Sequence, residues 1–220
     1  LNNNCSGKYS GFLCLACALH RGQSSEVDLR QYARGYVGPD HAVMREVTAA
    51  LQAATGHDLA HTPRGTDGCS IPTYAVPLRA LALAFARVGT GVRLSSGHAG
   101  AAKRLRAAVA SAPFMVAGTN RFDTRVMEHF GARVFCKVGA EGMFCAALPE
   151  LGLGVAIKID DGNNARAAEV SMAAVIEGLL PLADPDASFM RTLSDVHLRN
   201  WNGIEVGALR AATALRDALR

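Results

Sequence analysis

With 220 residues, half of them hydrophobic, the chain can bury one substantial core, and its length favours a single domain over residues 1–220. The net charge of +4 comes from scattered Lys and Arg without interleaved aromatics, which argues against a nucleic-acid surface; Lys103-Arg104-Leu105-Arg106 reads as a solvated helix face. Arg79 and Arg87 interrupt the apolar stretch 78–88, which excludes a membrane-spanning helix there, and the six cysteines, with no secretory pattern in view, read as thiols of a reducing cytoplasm.

The chain opens on Leu1 rather than Met, directly on polar, chemistry-bearing sequence, and is expected to be the later part of a longer polypeptide. Residues 2–11, Asn-Asn-Asn-Cys-Ser-Gly-Lys-Tyr-Ser-Gly, read as a turn that carries Cys5 and Lys8. A helix with apolar residues on most sides is predicted over 10–20, ended by Arg21-Gly22. Asp40 caps a second helix over 41–55, where Met44, Val47 and Leu51 share a face; both helices are expected to be buried. Residues 56–74, rich in Gly, Pro, Thr and Asp, read as a long irregular loop carrying Asp67 and Cys69, and loops of that length tend to be functional. An apolar helix over 76–88 and a basic amphipathic helix over 99–111 come next. The period then changes. Residues 133–138, 142–147 and 154–159 are short, apolar and β-capable, which predicts an antiparallel three-strand meander ended by Asp160-Asp161-Gly162. A long amphipathic helix over 164–180 follows, Pro181 and Pro185 break the chain, and residues 201–206 form an extended segment. Without βαβ alternation, this order gives an α+β class, an antiparallel sheet flanked by helices.

Gly7-Lys8 is not a phosphate loop, because Asn2 stands where the first glycine is required and Tyr9 where a Ser or Thr should hold magnesium. Cys14 and Cys17, spaced Cys-x-x-Cys inside an apolar helix, read as core thiols, as does Cys136 on its strand. Cys5, Lys8 and Cys69 are placed in loops, where side chains can converge on a ligand. Two thiolates and a desolvated amine suit zinc; Cys5 as nucleophile with Lys8 as its base is a second reading, and unrelated loop residues a third. Lys137-Val138-Gly139 resembles the strand-edge Lys-Thr-Gly of penicillin-recognising serine enzymes. No Ser-x-x-Lys accompanies it: Cys5, Gly100, Val134 and Val155 stand three residues before the four lysines.

Taken in order, Asn3-Asn4-Cys5-Ser6-Gly7-Lys8, Asp67-Gly68-Cys69-Ser70, Gly118 with Arg121-Phe122-Asp123-Thr124, Gly139-Ala140-Glu141-Gly142, Lys158-Ile159-Asp160-Asp161-Gly162 and Asn200-Trp201-Asn202-Gly203 resemble the asparaginase II family of the inducible rhizobial type, from end to end of the chain. The resemblance implies hydrolysis of L-asparagine to L-aspartate and ammonia on a fold similar to serine β-lactamases and bacterial glutaminases. It implies zinc held by Cys5, Lys8 and Cys69, recognition of the substrate's amino-acid end by Asp67, and a pocket lined by Cys145 and Lys158, with Lys158 in a Ser-Lys pair. Lys8 and Tyr9 are further substrate-binding candidates. Tyr9 stands where the family has His, which keeps an aromatic hydrogen-bonding group but loses titration near neutral pH. The family's Ser-x-x-Lys nucleophile belongs to a region upstream of this chain, so the alternative to an asparaginase is a catalytically incomplete zinc- or amino-acid-binding fragment. The expected partners are a small-molecule substrate and a second copy in a homodimer, with neither nucleic acid nor membrane.

Overall fold

The computed structural model describes residues 4–22 and 28–219. A long helix, α1 (Asn4–Arg21), is followed by one turn, α2 (Leu29–Tyr32), and by α3 (Ala42–Thr55). His41, rather than the expected Asp40, caps α3: its Nδ1 accepts from Val43 N at 3.1 Å, which leaves Nε2 protonated to donate to the Tyr32 carbonyl at 2.8 Å. The predicted irregular loop contains a small ladder, in which β1 (Arg64–Thr66) pairs antiparallel with β2 (Pro72–Tyr74) and presents residues 67–71 as the turn between them.

Next come α4 (Leu78–Thr90), α5 (Ser96–Ser111), α6 (Phe114–Ala117) and α7 (Phe122–Phe130). Lys103, Arg104 and Leu105 of α5 are exposed, the solvated face that their charge predicts. The change of period is borne out by β3 (Phe135–Val138), β4 (Met143–Leu148) and β5 (Leu153–Lys158), an antiparallel meander in the order β3-β4-β5. Then follow α8 (Arg166–Leu179) and α9 (Asp184–Ser194). Pro185 starts α9 rather than breaking the chain, because a first-turn residue needs no intrahelical N–H bond. The tail forms a separate hairpin of β6 (Asp195–Arg199) and β7 (Glu205–Arg210), with Trp201 exposed at its tip, before a short α10 (Thr213–Ala218). The protein is thus a mixture of helices and antiparallel sheets, the α+β class expected. Among the described residues no helix is long and apolar enough to cross a membrane.

Register decides what each face of the meander meets. Phe135, Lys137, Cys145, Ala147, Gly154 and Ala156 share one face, and α4 lies on it. Phe85 of α4 stacks on Phe135 with ring centroids 5.8 Å apart. The approach is close enough that a Cβ at Gly154 would overlap the carbonyl of Ala82 and the amide of Ala86. On the opposite face Cys136, Val138, Phe144, Ala146 and Leu148 join Phe122, Val126 and Met127 of α7, Met172 and Ile176 of α8, and Met190 of α9 in the main core. Burial on both faces explains why β4 reads as an unbroken apolar run.

A smaller cluster lies at the other end of the sequence. Ala16 of α1, Val43 and Met44 of α3, and Ile71 of the 67–71 turn are buried together, with Tyr9, Phe12, Leu15 and Leu19 packed against them. This corrects two expectations. Ala16 is the one fully buried residue of α1 among those described, and Cys14, about 200° around the helix from it, is exposed, with Cys17 half-buried. Cys136 alone of those three thiols is a core residue.

Candidate functional site

Cys5 and Lys8 stand on the first turns of α1, not in the turn their neighbours' composition predicts. Positions 5, 8, 9 and 12 form one stripe of a helix, and Tyr9 and Phe12 of that stripe pack on the small cluster. This apolar burial outweighs the low helix propensity of Ser6, Gly7 and Gly11. Asn2 and Asn3 of the same motif lie outside the described residues.

The opposing wall is the β1–β2 turn. Asp67 Oδ1 accepts from the backbone N–H of Cys69 at 2.8 Å and of Ile71 at 3.0 Å, and Ser70 adopts φ +63° to let the chain double back. With Oδ1 so engaged, Oδ2 receives the Lys8 ammonium at 3.2 Å. The Tyr9 hydroxyl donates to the Cys69 carbonyl at 3.0 Å, and the sulfurs of Cys5 and Cys69 share a hydrogen bond at 3.1 Å. Both cysteines are half-buried thiols. Five expected site residues, Cys5, Lys8, Tyr9, Asp67 and Cys69, therefore meet across some 60 residues of sequence.

Their charges are interlocked. Burial opposes ionisation of Asp67, but the N–H groups of Ile71 and Cys69 and the Lys8 ammonium outweigh it and hold the carboxyl below its ordinary pKa. Burial likewise opposes charge on Lys8, and hydrogen bonds to Asp67 and Cys69 override it, so its pKa is raised. Hydrogen bonding from Tyr9, then from Cys5 and Lys8, lowers the Cys69 thiol. The converse effects raise Cys5 and push Tyr9 up to about 12. The site thus eases ionisation of Cys69 relative to Cys5 and keeps a charged Lys8 beside them.

Cys145 and Lys158 occupy the meander instead. Cys145 lies on β4 and burial pushes its thiol up to about 11, so it is a neutral thiol at physiological pH. Lys158 ends β5, exposed, and donates to the Ile159 carbonyl at 2.6 Å. It pairs with Met143, two residues before Cys145, so the two are diagonal neighbours on one face. Sequence reading did not place Lys137 beside them. It stands directly opposite Cys145 on β3, half-buried, with its pKa lowered by burial.

The remaining motif residues shape the chain. Asp123 is buried and accepts from Val138 N at 2.7 Å, and Thr124 donates to the Gly118 carbonyl at 2.7 Å, fastening α7 to β3 and to the preceding turn. Glu141 and Gly142 turn the β3–β4 connection at φ +55° and +73°. Asn200 Oδ1 accepts from Asn202 N and Ile204 N, each at 3.0 Å, and closes the β6–β7 hairpin.

Among the described residues no group of three or more His, Cys, Asp or Glu side chains is placed to hold a metal ion. The groups that converge are two thiols, which as thiolates are ligands of the kind zinc takes, and Lys8, an ammonium here that would serve as a ligand only after losing its proton. The L-asparaginase II family matches residues 1–211 of the chain. No curated protein matches it.

Proposed function

The chain belongs to the L-asparaginase II family, and on that premise we propose that it serves an amidohydrolase that converts L-asparagine to L-aspartate and ammonia, on a serine β-lactamase- and glutaminase-like fold. The observation that carries the reading is the meeting of Cys5, Lys8 and Tyr9 on α1 with Asp67 and Cys69 on the β1–β2 turn. A second support is the meander covered by α4 on one face and by α7, α8 and α9 on the other, with Lys137-Val138-Gly139 at its edge strand.

In this reading Asp67 binds the α-ammonium of the substrate. Its Oδ1 is held by two backbone N–H groups, so Oδ2 is the oxygen that exchanges Lys8 for the incoming ammonium. Deprotonated Lys8, with the Cys5 and Cys69 thiolates, would hold zinc. Zinc held by these three would supply a fixed positive charge that orients the substrate. Tyr9 keeps the Cys69 carbonyl, and with it the turn, in place. Lys158 supports proton transfer to and from a serine nucleophile, which attacks the side-chain amide, releases ammonia and leaves an aspartyl ester for water to hydrolyse. That serine would come from a Ser-x-x-Lys pair, which these 220 residues do not contain. Cys145, a neutral thiol beside Lys158 and Lys137, lines the pocket. The cysteines, present as thiols, fit a cytoplasmic protein.

Ammonia release from L-asparagine, measured on the protein that carries the Ser-x-x-Lys pair, tests the reading. Cys69→Ala in that protein should lower zinc content and raise the asparagine KM with kcat little changed. No ammonia release would overturn the asparaginase reading, and unchanged zinc content and KM would remove the metal's orienting role. The missing pair favours one other outcome for the 220 residues alone: binding of zinc or asparagine, read by calorimetry, without turnover.

A further inference from the structure

The sulfurs of Cys5 and Cys69 approach to 3.1 Å although 64 residues separate them in sequence. A disulfide needs about 2.05 Å, so roughly 1 Å of movement closes the gap. Neither residue is held by the sulfurs alone. Tyr9, one turn along α1 from Cys5, binds the Cys69 carbonyl, and Lys8 binds Asp67 two residues before Cys69. The backbones on both sides are thus fixed in facing positions by contacts that survive any chemistry at sulfur. The small adjustment falls where the chain can make it, at the first turn of a helix and in a tight turn, rather than inside the sheet. Both thiols are half-buried and within reach of a small oxidant, whereas Cys136 and Cys145 are buried.

We propose that Cys5 and Cys69 form a reversible disulfide when a peroxide reaches the site, which locks the start of α1 to the 67–71 turn. The sulfur of one cysteine attacks an oxygen of hydrogen peroxide; the O–O bond breaks, one water leaves and a sulfenic acid remains. The second sulfur then attacks the first. The S–S bond forms, the S–O bond breaks and a second water leaves, so two thiols are oxidised by two electrons and the peroxide is reduced to two waters. A dithiol reductant reverses the step by exchange. The locked form has no free thiolate at either position and therefore cannot offer the pair to a metal. That consequence rests on the zinc reading above; the bond itself does not.

The test uses the reduced chain after chelator treatment, exposed to equimolar hydrogen peroxide, quenched with iodoacetamide and examined by intact-mass and peptide mapping. The expected product takes up two fewer alkyl groups than the reduced chain, carries a Cys5–Cys69 peptide link and has Cys14 and Cys17 alkylated. Dithiothreitol added before the quench restores the Cys5 and Cys69 thiols. The oxidised form should also melt at a higher temperature than the reduced form, a gain that Cys5→Ser and Cys69→Ser each abolish while keeping the reduced chain's circular dichroism. A link between Cys14 and Cys17, or sulfinic acid at Cys5 or Cys69 with no link, overturns the proposal. Zinc titration of the reduced and oxidised forms separates the two readings. If the link forms but the reduced chain takes up no zinc, the metal assignment fails and the disulfide stands.

Discussion

The two apolar clusters are built on different principles. Around β4 the main core is almost wholly hydrophobic, with Phe144, Met127, Leu148, Met172 and Ile176 essentially inaccessible, and its polar insert, Asp123, serves a backbone amide. The small cluster buries four side chains fully, and its outer wall is made of side chains that also carry charge or a reactive group: Lys8, Tyr9, Asp67 and Cys69. Chemistry is gathered where apolar burial is thinnest. Such a wall holds its geometry through hydrogen bonds that a ligand or an oxidant can replace, whereas a packed core allows no exchange. Helix α4 joins the regions, because it packs on the meander and its Arg87 reaches the carbonyls of Ala53 and Ala54 at the end of α3.

Four changes put this contrast to the test, in falling order of expected effect. Phe144→Ala should cost about 3–5 kcal/mol in urea unfolding, since it empties the centre of the main core. Gly154→Ala should cost about 2–3 kcal/mol, because the added methyl drives α4 off β5. Amide exchange should then rise in α3 as well as in the sheet; a rise confined to β5 would mean that α4 does not couple the two regions. Asp67→Ala should cost about 1 kcal/mol by leaving two turn amides without their acceptor, and should speed exchange at the start of α1 while β4 stays protected. Equal loosening of both regions would dissolve the distinction between them.

The smallest effect concerns pH. The pKa of Asp67 is depressed in the folded protein, so its contribution is complete above the ordinary carboxylate pKa of about 3.9 and is lost as pH falls through the lower folded value. Acidification below about pH 4 should therefore loosen the first turn of α1 in the wild type and have little further effect there in Asp67→Asn, as exchange monitored by NMR would report.

The elements that the sequence announced are those whose pattern is repeated over many residues. Helices α3, α4, α5 and α8 are legible because apolar residues recur at the helical period, and the three strands of the meander because short apolar, β-capable runs stand between turn residues. The short ladder β1–β2 has three residues per strand, too few for any period to appear, and α9 hides behind Pro185, which marks a helix start as readily as a stop. The start of α1 is misread for a related reason: Asn, Ser and Gly favour turns locally, and only contact with α3 makes the helix the better state.

The candidate site divides the same way. Family motifs in the sequence name Cys5, Lys8, Tyr9, Asp67 and Cys69 as candidates, because the side-chain chemistry of each is written at its own position. Motifs alone do not distinguish those five from Asn200 or Glu141, whose task is to turn the chain. That two sulfurs stand 3.1 Å apart, that Lys8 meets the outer oxygen of Asp67, and that Lys137 faces Cys145 are decided by the tertiary structure. Contacts between residues 60 apart depend on the packing of everything between them, and sheet register depends on which face is buried. Local composition carries neither.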